Sequence, residues 1–540
     1  MGTITFVCNR YMKPPSTIMI DATNLVHKAF TLSIVGLALL FVALLCRIFY
    51  MQKLHPLSEF HGPWYATSSS LASAIISITH KEPQWLEHLV KKYGASPDMM
   101  SAADQPIRIS PTMLVFSTPS SMKDIYRDLQ LNLKSGLYGT GALGPPSLVT
   151  TLDGDQHRGL RKALANAPWT IGPLKNAWES RFDDQVTLFI KKMNEHAENE
   201  RTICISDKVA HFAADILGMI SFSHPFGSVE NQRDEKELLA NFRRGLTIFG
   251  FAGRSRFFRD TILHIPVVGQ WWLPTTSNDS GIGWLMYEAD RQVSNREREN
   301  AEKGFEGKHD FLQYCLDARY SDGSPLTPVQ KRAHVTLLIQ AGADTTGTGM
   351  GSTLRFILTH PTVLAKVRME IEDAEANGLL STPIRYDETR QHLPFFVACI
   401  KESLRLNPPA PNLFPRIVSE GGKVIDGHFV PAGTEVTNNA WTLQRNKDLY
   451  GENAEKFIPE RWMESEQRSF RLEAAQFTFG AGPRVCLGKE VAMLEMHKLL
   501  PEIIRRFDIE VKHPGKYIVN GGVAYNVGFL VNMTAKNIAT

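Results

Sequence analysis

Hydrophobic residues are distributed in two different ways along this chain. Residues 29–46 form an uncharged run of 18 residues, which as a helix would span roughly 27 Å, close to the hydrocarbon core of a bilayer. Downstream, apolar positions recur mainly at helical spacing, interrupted by short segments rich in Gly and Pro. The pattern predicts one membrane-spanning helix followed by a large, mainly helical body.

A signal peptide and a buried core helix are the alternatives for the apolar run. A signal peptide usually starts nearer the first residue, and aromatic and basic residues follow here instead of a small-residue cleavage site. We therefore expect an N-terminal tail over 1–28, a single-pass anchor over 29–51 and a proline-rich hinge over 52–64. Residues 65–540 contain neither a repeat nor a long linker and should form one domain. Basic residues nearly balance on the two sides of the anchor, so they do not predict its orientation.

The strongest helical signal in the body starts at Thr327-Pro328 and stops at His360-Pro361. Its middle, residues 341–352, reads AGADTTGTGMGS and contains four glycines, each of which costs a helix about 1 kcal/mol relative to Ala. Such glycines permit either close packing of another helix or the approach of a flat ligand, and the residues alone leave both open.

Three other segments predict local structure. Residues 135–146 carry four glycines and two prolines and should form an irregular loop. Residues 246–274 mix aromatic, aliphatic and arginine side chains, which fits either core or a segment dipping into a membrane interface. Residues 427–441 alternate and turn like a β-hairpin.

Composition narrows the possible functions. The 540 residues are 43% hydrophobic and 21% charged, as in an ordinary globular protein, and a formal net charge of +3 gives no reason to expect nucleic acid as a partner. The six cysteines are scattered without a CxxC pair. Neither a disulfide framework nor a zinc site is therefore predicted.

One cysteine lies in an unusual segment, FGAGPRVCLG, residues 479–488. Nucleotide binding is excluded because Val485 stands where a dinucleotide fingerprint needs its third glycine, and Glu490 stands where a P-loop needs Ser or Thr. Cys486 instead precedes a helical run, so the helix dipole and Arg484 favour its thiolate. One thiolate without a companion ligand is wrong for zinc but suits a haem iron, whose porphyrin supplies four donors. The neighbouring glycines would give such a planar group clearance.

This segment resembles the cysteine-ligand loop of the cytochrome P-450 family, and other segments match that family in the right order. AGADTT (341–346) resembles its oxygen-binding helix, ESLR (402–405) its Glu-x-x-Arg pair and PERW (459–462) its meander motif. HRGLR (157–161) resembles the segment that holds the haem propionates. The likeness runs from about residue 55 to the C-terminus and implies a mainly α fold with small β-sheets.

The resemblance also implies roles for individual residues. Cys486 would be the axial ligand of the haem iron, and Asp344 and Thr345 would be the acid and alcohol that deliver protons. Glu402 would form a buried structural triad with Arg405 and Arg461. The other residues implied to contact the haem are Phe479, Arg484, Gly488, His157, Arg161, Arg416, Ala341 and Gly342.

By the same resemblance, the protein binds haem b and uses O2 to oxidise an apolar small molecule. Electrons would come from NADPH through an NADPH-cytochrome reductase, with cytochrome b5 as an optional further donor. The pattern is most similar to membrane-bound fungal members that tailor terpenoid, polyketide or alkaloid skeletons, with the body on the cytosolic face of the endoplasmic reticulum. Substrate contacts are expected from residues 135–146, 246–272, 410–414 and 521–527.

Two other functions are compatible with the same residues. The haem-thiolate fold can carry out isomerisation, dehydration or peroxide-driven oxidation, although the intact ADTT favours the O2 route. The chain can also be a membrane-anchored binding protein that keeps the fold without catalysis. Dependence on NADPH, reductase and O2 would distinguish O2-driven oxidation from the first alternative. The absorption of the ferrous-CO complex would test whether a thiolate binds the iron.

Overall fold

The computed structural model describes residues 22–94, 105–128, 133–142, 144–164, 170–303 and 309–536. The chain divides into two compact units, residues 1–55 and 56–540. In the first unit, helix α1 (Ala22–Lys53) contains the 24-residue stretch Phe30–Lys53, whose most apolar 18-residue window has a mean hydropathy of 2.6 and is not buried at all. This helix is long and apolar enough to cross a bilayer, which agrees with the predicted anchor, although it begins earlier than residue 29.

The second unit contains the remaining described elements. Its helices are α2 (Trp64–Ser68), α3 (Ser70–Ile78), α4 (Glu82–Tyr93), α5 (Pro119–Tyr126), α6 (Gly154–Leu164), α7 (Ile171–Glu198), α8 (Ile205–Phe222), α9 (Ser228–Asn231), α10 (Leu238–Arg254), α11 (Pro266–Trp272), α12 (Gly281–Lys303), α13 (Phe311–Asp317), α14 (Pro328–Thr359), α15 (Pro361–Ala376), α16 (Tyr386–His392), α17 (Pro394–Leu406), α18 (Ala440–Leu443), α19 (Lys447–Tyr450), α20 (Glu466–Ala475) and α21 (Lys489–Arg506). Short 3₁₀ segments cover Gly136–Tyr138, Glu235–Glu237, Pro459–Trp462 and Gly482–Arg484, and a π-helical turn covers Phe258–Ile262.

Most of the described strands have two to four residues, and β8 and β9 are longer, with 14 and 13 residues. The strands are β1 (Ile107–Ser110), β2 (Met113–Phe116), β3 (Ile203–Cys204), β4 (Arg416–Ile417), β5 (Lys423–Ile425), β6 (His428–Val430), β7 (Glu435–Asn438), β8 (Phe507–Asn520) and β9 (Val523–Ala535). They form sheets in the orders β1-β2-β7-β4, β3-β9-β8 and β5-β6. Strands β2 and β7 run parallel, with Met113 opposite Glu435. The predicted mainly α fold with small sheets is confirmed.

The hairpin predicted over residues 427–441 is wrong. Strand β6 pairs with β5, and β7 pairs instead with β2 and β4. The tight turn lies at Asp426 and Gly427, which both have positive φ, 50° and 82°, as a two-residue hairpin loop requires. The alternating pattern was right for strands but did not reveal that they belong to different sheets.

Helix α14 is the central element of the second unit. The Gln330 N–H donates to Thr327 Oγ1 at 3.3 Å, and the Thr327 N–H donates to the Gln330 side chain at 2.9 Å, which is a complete capping box. The helix ends before Pro361, as predicted. Its 32 residues extend roughly 48 Å and pack against α8, α17 and α21.

Candidate active site

The segment around Cys486 forms a closed loop that ends at the start of α21. The Cys486 N–H donates to the Phe479 carbonyl at 2.8 Å, and the N–H groups of Gly488 and Lys489 are directed at the sulfur. Burial raises the pKa of the Cys486 thiol, while those two N–H groups and the charge of Arg161 act in the opposite direction. The helix start therefore supplies donors that favour a thiolate.

The Cys486 side chain is accessible to a solvent-sized probe. Burial by the surrounding protein is nevertheless the largest influence on its pKa. Both observations hold if the sulfur faces space inside the protein. Within the described residues, no group of three or more His, Cys, Asp or Glu side chains is placed to hold a metal. A lone interior sulfur fits a cofactor that brings the other ligands of its metal.

The backbone conformation is a second reason for glycine at the positions before Cys486, besides clearance for a planar group. Gly480 and Gly482 have φ of 74° and 67°, which glycine adopts readily. A Cβ on Gly482 would lie 2.0 Å from the carbonyl oxygen of Tyr126, the last residue of α5. Gly482 is therefore required by the turn and by the close approach of α5.

Basic side chains from three distant segments converge near this loop. Helix α6 contributes His157 and Arg161, and strand β4 contributes Arg416. Arg484 belongs to the loop itself, and Lys134 lies just before the 3₁₀ turn Gly136–Tyr138. Burial is the main cause that lowers the pKa of His157 to about 3, and the positive charges of Lys134 and the three arginines lower it further. Burial and the charge of Arg416 lower the pKa of Arg484 to about 10. Such a cluster fits an anionic ligand with two carboxylates, as haem has.

One face of α14 is open in a helix that is otherwise mostly buried. Ala341 is exposed and Thr345 is partly exposed, one helical turn apart, whereas Ala343 and Thr346 are buried. Thr345 Oγ1 donates to the Ala341 carbonyl at 2.7 Å. Gly342 lies against α8, because a Cβ there would be 2.6 Å from Leu217 Cδ1.

Asp344 and Thr345 do not hydrogen-bond to each other, and Asp344 has a different partner. Arg243 of α10 donates from Nε at 3.0 Å and from Nη2 at 2.7 Å to the two oxygens of Asp344, which is 1% exposed. Burial raises the pKa of Asp344, and the Arg243 guanidinium opposes that shift. Arg243 lies outside every motif, so sequence reasoning missed it.

The predicted triad is present and fully buried. Arg405 donates to Glu402 through Nε and Nη2, each at 2.8 Å, and Arg461 Nε donates to Glu402 at 2.9 Å. The Gln444 carbonyl accepts from Arg405 at 2.7 Å, and the Gln444 side chain accepts from the Phe477 N–H at 2.8 Å. Gln444, which sequence reasoning missed, thus connects the triad to the segment that leads into the Cys486 loop.

Parts of all four segments expected to contact substrate meet around the C-terminal half of α10. Arg254 Nη2 donates to Asn412 Oδ1 at 3.1 Å, and a Cβ on Gly521 would lie 2.1 Å from the Leu246 carbonyl oxygen. A Cβ on Gly253 would lie 3.0 Å from the Leu137 carbonyl oxygen. The segment 246–274 divides in two: its first half is core, and beyond α10 it exposes apolar side chains.

Comparisons with known proteins cover most of the chain. The family model described as "Cytochrome P450" matches residues 108–521. A cytochrome P450 monooxygenase of Aspergillus terreus is 28% identical over 460 residues, which cover 84% of this chain and 90% of that protein. A pisatin demethylase of Fusarium vanettenii is 29% identical over 472 residues, 86% of each chain. A cytochrome P450 monooxygenase of Penicillium aethiopicum is 28% identical over 494 residues, 89% of this chain and 94% of that protein.

Proposed function

The chain belongs to the cytochrome P-450 family of monooxygenases, and we propose that it oxidises an apolar small molecule in fungal secondary metabolism with O2 and electrons from an NADPH-dependent reductase. Its similarity to named fungal monooxygenases over 84% of its length supports this. The observation that carries the proposal is the isolated sulfur of Cys486, which has two N–H donors directed at it. A terpenoid, polyketide or alkaloid skeleton is the proposed substrate class.

The side chains near Cys486 fit haem b as the resident group. Cys486 would bind its iron. Arg161, Arg416 and Arg484 would hold its propionates, because guanidinium groups match carboxylates bidentately, and His157 would donate to them through an imidazole N–H. Phe479, Gly488, Ala341 and Gly342 remain proposed haem contacts. When bound, haem supplies the O2 and electron chemistry that these side chains lack.

Protons would reach the reaction through the open face of α14. The Thr345 hydroxyl lies on that face and can pass a proton received from water. Asp344 is held away from Thr345 by Arg243, so it would act by exchanging protons through water rather than by direct contact. This division of roles follows from the two different partners of neighbouring residues.

The groove beside the Cys486 loop supports a reductase as the partner. The groove has a volume of about 750 Å³ and is lined in part by Arg127, Arg390 and Lys489, all exposed. Lys401, also in the groove, is paired with Glu473. A positive rim of this kind attracts an acidic protein surface and speeds its association, and it lies next to the proposed iron ligand.

Exposed apolar side chains near α11 support the bilayer as a second partner. Phe257 is 69% exposed, Val267 65% and Trp272 46%. The Trp272 ring packs edge-on against a neighbouring ring, that of Phe258, at 5.7 Å between the ring centres. These three side chains, which we call the apolar patch, suit insertion into a membrane interface. An endoplasmic reticulum location with a cytosolic body follows from the family resemblance.

The proposed function is tested with full-length protein, a reductase and a panel of candidate precursors. We expect products that form only with NADPH, reductase and O2, identified by mass spectrometry and NMR. The ferrous-CO complex should show the thiolate absorption band, which Cys486→Ala should abolish and the control Cys204→Ala should keep. Full turnover without reductase would favour isomerisation, dehydration or peroxide chemistry, and a band that survives Cys486→Ala would overturn the ligand assignment.

A further inference from the structure

The closed end of the β8–β9 hairpin contacts both α10 and α14. Gly521 in its turn has a φ of 57°, and a Cβ there would lie 2.1 Å from the Leu246 carbonyl oxygen of α10. Glycine suits both the turn and the close approach. Residues 520–526, which we call the hairpin end, therefore pack directly against α10, the helix that carries Arg243.

The hairpin end holds Arg243 at its backbone and at its side chain. Asn520 Nδ2 donates to the Arg243 carbonyl at 3.2 Å and to Thr247 Oγ1, one helical turn further along α10, at 2.9 Å. The guanidinium carbon of Arg243 lies 4.9 Å from the centre of the Tyr525 ring, which is a cation–π contact. One short piece of chain therefore fixes both ends of this arginine.

The same hairpin end is bonded to α14 one helical turn beyond Asp344. Thr348 Oγ1 donates to the Ala524 carbonyl at 2.9 Å, and Asn526 Nδ2 donates to the Thr348 carbonyl at 3.0 Å. Thr348 and Asn526 are both buried, at 2% and 4% exposed. Buried hydrogen bonds are costly to leave unmade, so they hold the hairpin end and α14 in one arrangement.

Arg243 and Asp344 belong to different helices, so their paired hydrogen bonds need α10 and α14 to stay in register. The hairpin end is bonded to both helices, at Arg243 itself and one turn from Asp344. We propose that Tyr525 and Asn526 are positioning residues for proton delivery, which hold Arg243 against Asp344. The proposal rests on the proposed function, in which Asp344 exchanges protons through water.

Turnover by the full-length holoenzyme tests Tyr525. Tyr525→Leu removes the ring from Arg243, and we expect product per NADPH to fall roughly threefold, the size expected for one cation–π contact. Tyr525→Phe keeps the ring and should behave like the wild type. Tyr517→Leu is the matched control, because Tyr517 lies in the same hairpin but stacks on Trp441 at 5.9 Å, and it should keep the wild-type ratio even if it lowers stability.

The Arg243→Gln background distinguishes positioning from a purely structural role. If Tyr525 acts through Arg243, adding Tyr525→Leu to Arg243→Gln should not lower product per NADPH any further. An equal fall in both backgrounds would overturn the positioning role, as would a wild-type ratio in Tyr525→Leu alone.

The pH profile of kcat gives a second signature of positioning. Burial raises the pKa of Asp344, the charge of Arg243 lowers it, and the charges of Asp207 and Asp234 raise it again. Tyr525 also faces Asp344. A loosened guanidinium should therefore move the acid limb of the profile to higher pH in Tyr525→Leu, and Tyr525→Phe should leave it in place. An unshifted limb in Tyr525→Leu would contradict the proposal.

Hydrogen exchange tests Asn526 without relying on turnover. In Asn526→Leu the Thr348 carbonyl loses its side-chain donor, so the amides of residues 344–352 in the holoprotein should exchange roughly threefold faster. Asn532→Leu is the matched control, since Asn532 lies on the same strand but accepts from Thr202 Oγ1 at 2.6 Å. Unchanged exchange in Asn526→Leu would overturn the role of Asn526, and the Tyr525 variants decide the proposal if Asn526→Leu does not fold.

The wild type separates failure of this proposal from failure of the proposed function. Reductase-dependent product from the wild type, together with an unchanged ratio in Tyr525→Leu, would overturn the Tyr525 assignment alone. A wild type that forms no product with NADPH, reductase and O2 would overturn the proposed function and this proposal together.

Discussion

Arg243 determines whether Asp344 can remain ionised inside the protein. Both carboxylate oxygens of Asp344 accept hydrogen bonds from Arg243, whose guanidinium also lies 4.9 Å from the ring centre of Tyr525 and 4.0 Å from Asp207. Asp207 is half-exposed, so the pair connects a buried acid to a side chain at the surface. Removing one partner of a buried pair leaves the other charge uncompensated.

Arg243→Gln should therefore impair proton delivery rather than substrate binding. Without the guanidinium, burial should raise the pKa of Asp344 further and keep it protonated at neutral pH. We expect product formation to fall roughly ten- to hundredfold, with less product per NADPH consumed and a shifted pH profile of kcat. Arg244→Gln is the control, because Arg244 is exposed and pairs with Glu237. A normal ratio of product to NADPH in Arg243→Gln would contradict this role.

His334 should make the stability of the protein depend on pH. It is 2% exposed, its Nε2 accepts from the Leu148 N–H at 3.1 Å, and burial lowers its pKa to about 4 from 6.5. The unfolded state binds the proton more tightly than the folded state, so acidification favours unfolding. The free energy of unfolding should therefore be highest above pH 6.5 and should fall by about 3 kcal/mol for this residue as the pH drops towards 4.

Denaturant unfolding of wild type and His334→Gln at pH 7 and pH 4.5 measures that contribution. The glutamine keeps an acceptor for Leu148 but does not titrate, so the loss of stability on acidification should be smaller in the variant. His88→Gln, which changes an exposed histidine of α4, should behave like the wild type. Equal losses in His334→Gln and the wild type would refute the assignment.

The glycines of α14 are explained by packing against neighbouring elements. A Cβ on Gly347 would lie 2.6 Å from Ala210 Cα in α8, and one on Gly351 would lie 2.9 Å from Asn526 Nδ2. The sequence left helix packing and a flat ligand as alternatives for these glycines. The structure shows close packing at these positions, against α8 at Gly347 and against β9 at Gly351, and Ala341 and Thr345 provide the open face.

Gly347→Ala and Gly349→Ala should have different effects on stability. Both gain about 1 kcal/mol of helix propensity, but the Cβ on Gly347 meets backbone, whereas the one on Gly349 would lie 3.3 Å from Leu404 Cδ2 and 3.4 Å from Met496 Sδ, which can move. We expect Gly347→Ala to lower the free energy of unfolding by about 1–3 kcal/mol and Gly349→Ala to change it by less than about 1 kcal/mol. Denaturant melts of both variants check this, and equal stabilities would argue against close α8–α14 packing.

Membrane association of the whole molecule should have two sources. Helix α1 belongs to one compact unit, and the apolar patch of Phe257, Val267 and Trp272 belongs to the other. On our proposal, the patch would give the second unit its own means of binding a lipid surface.

Deletion of residues 1–55 should therefore reduce vesicle binding without abolishing it. Changing the three patch residues to Ser in the truncated protein should remove most of the remainder, as measured by co-sedimentation with phospholipid vesicles. Phe470→Ser in the same background is the control, because Phe470 is 75% exposed on α20 and lies outside the patch. Unchanged binding of the patch variant would show that the remaining membrane contact lies outside the apolar patch, and complete loss of binding on truncation alone would show that residues 1–55 carry all of it.

The sequence by itself determined the features that depend on residue types at short spacing. The apolar run, the capped ends of α14, the Cys486 loop and the Glu402–Arg405 pair each lie within a few turns of chain, where local geometry decides the outcome. Tertiary structure alone decided which distant residues meet: Arg243 with Asp344, Lys134 with Arg416 and Leu148, and β7 with β2 rather than β6. Such contacts form because many elements pack at once, and no spacing rule within one segment encodes them.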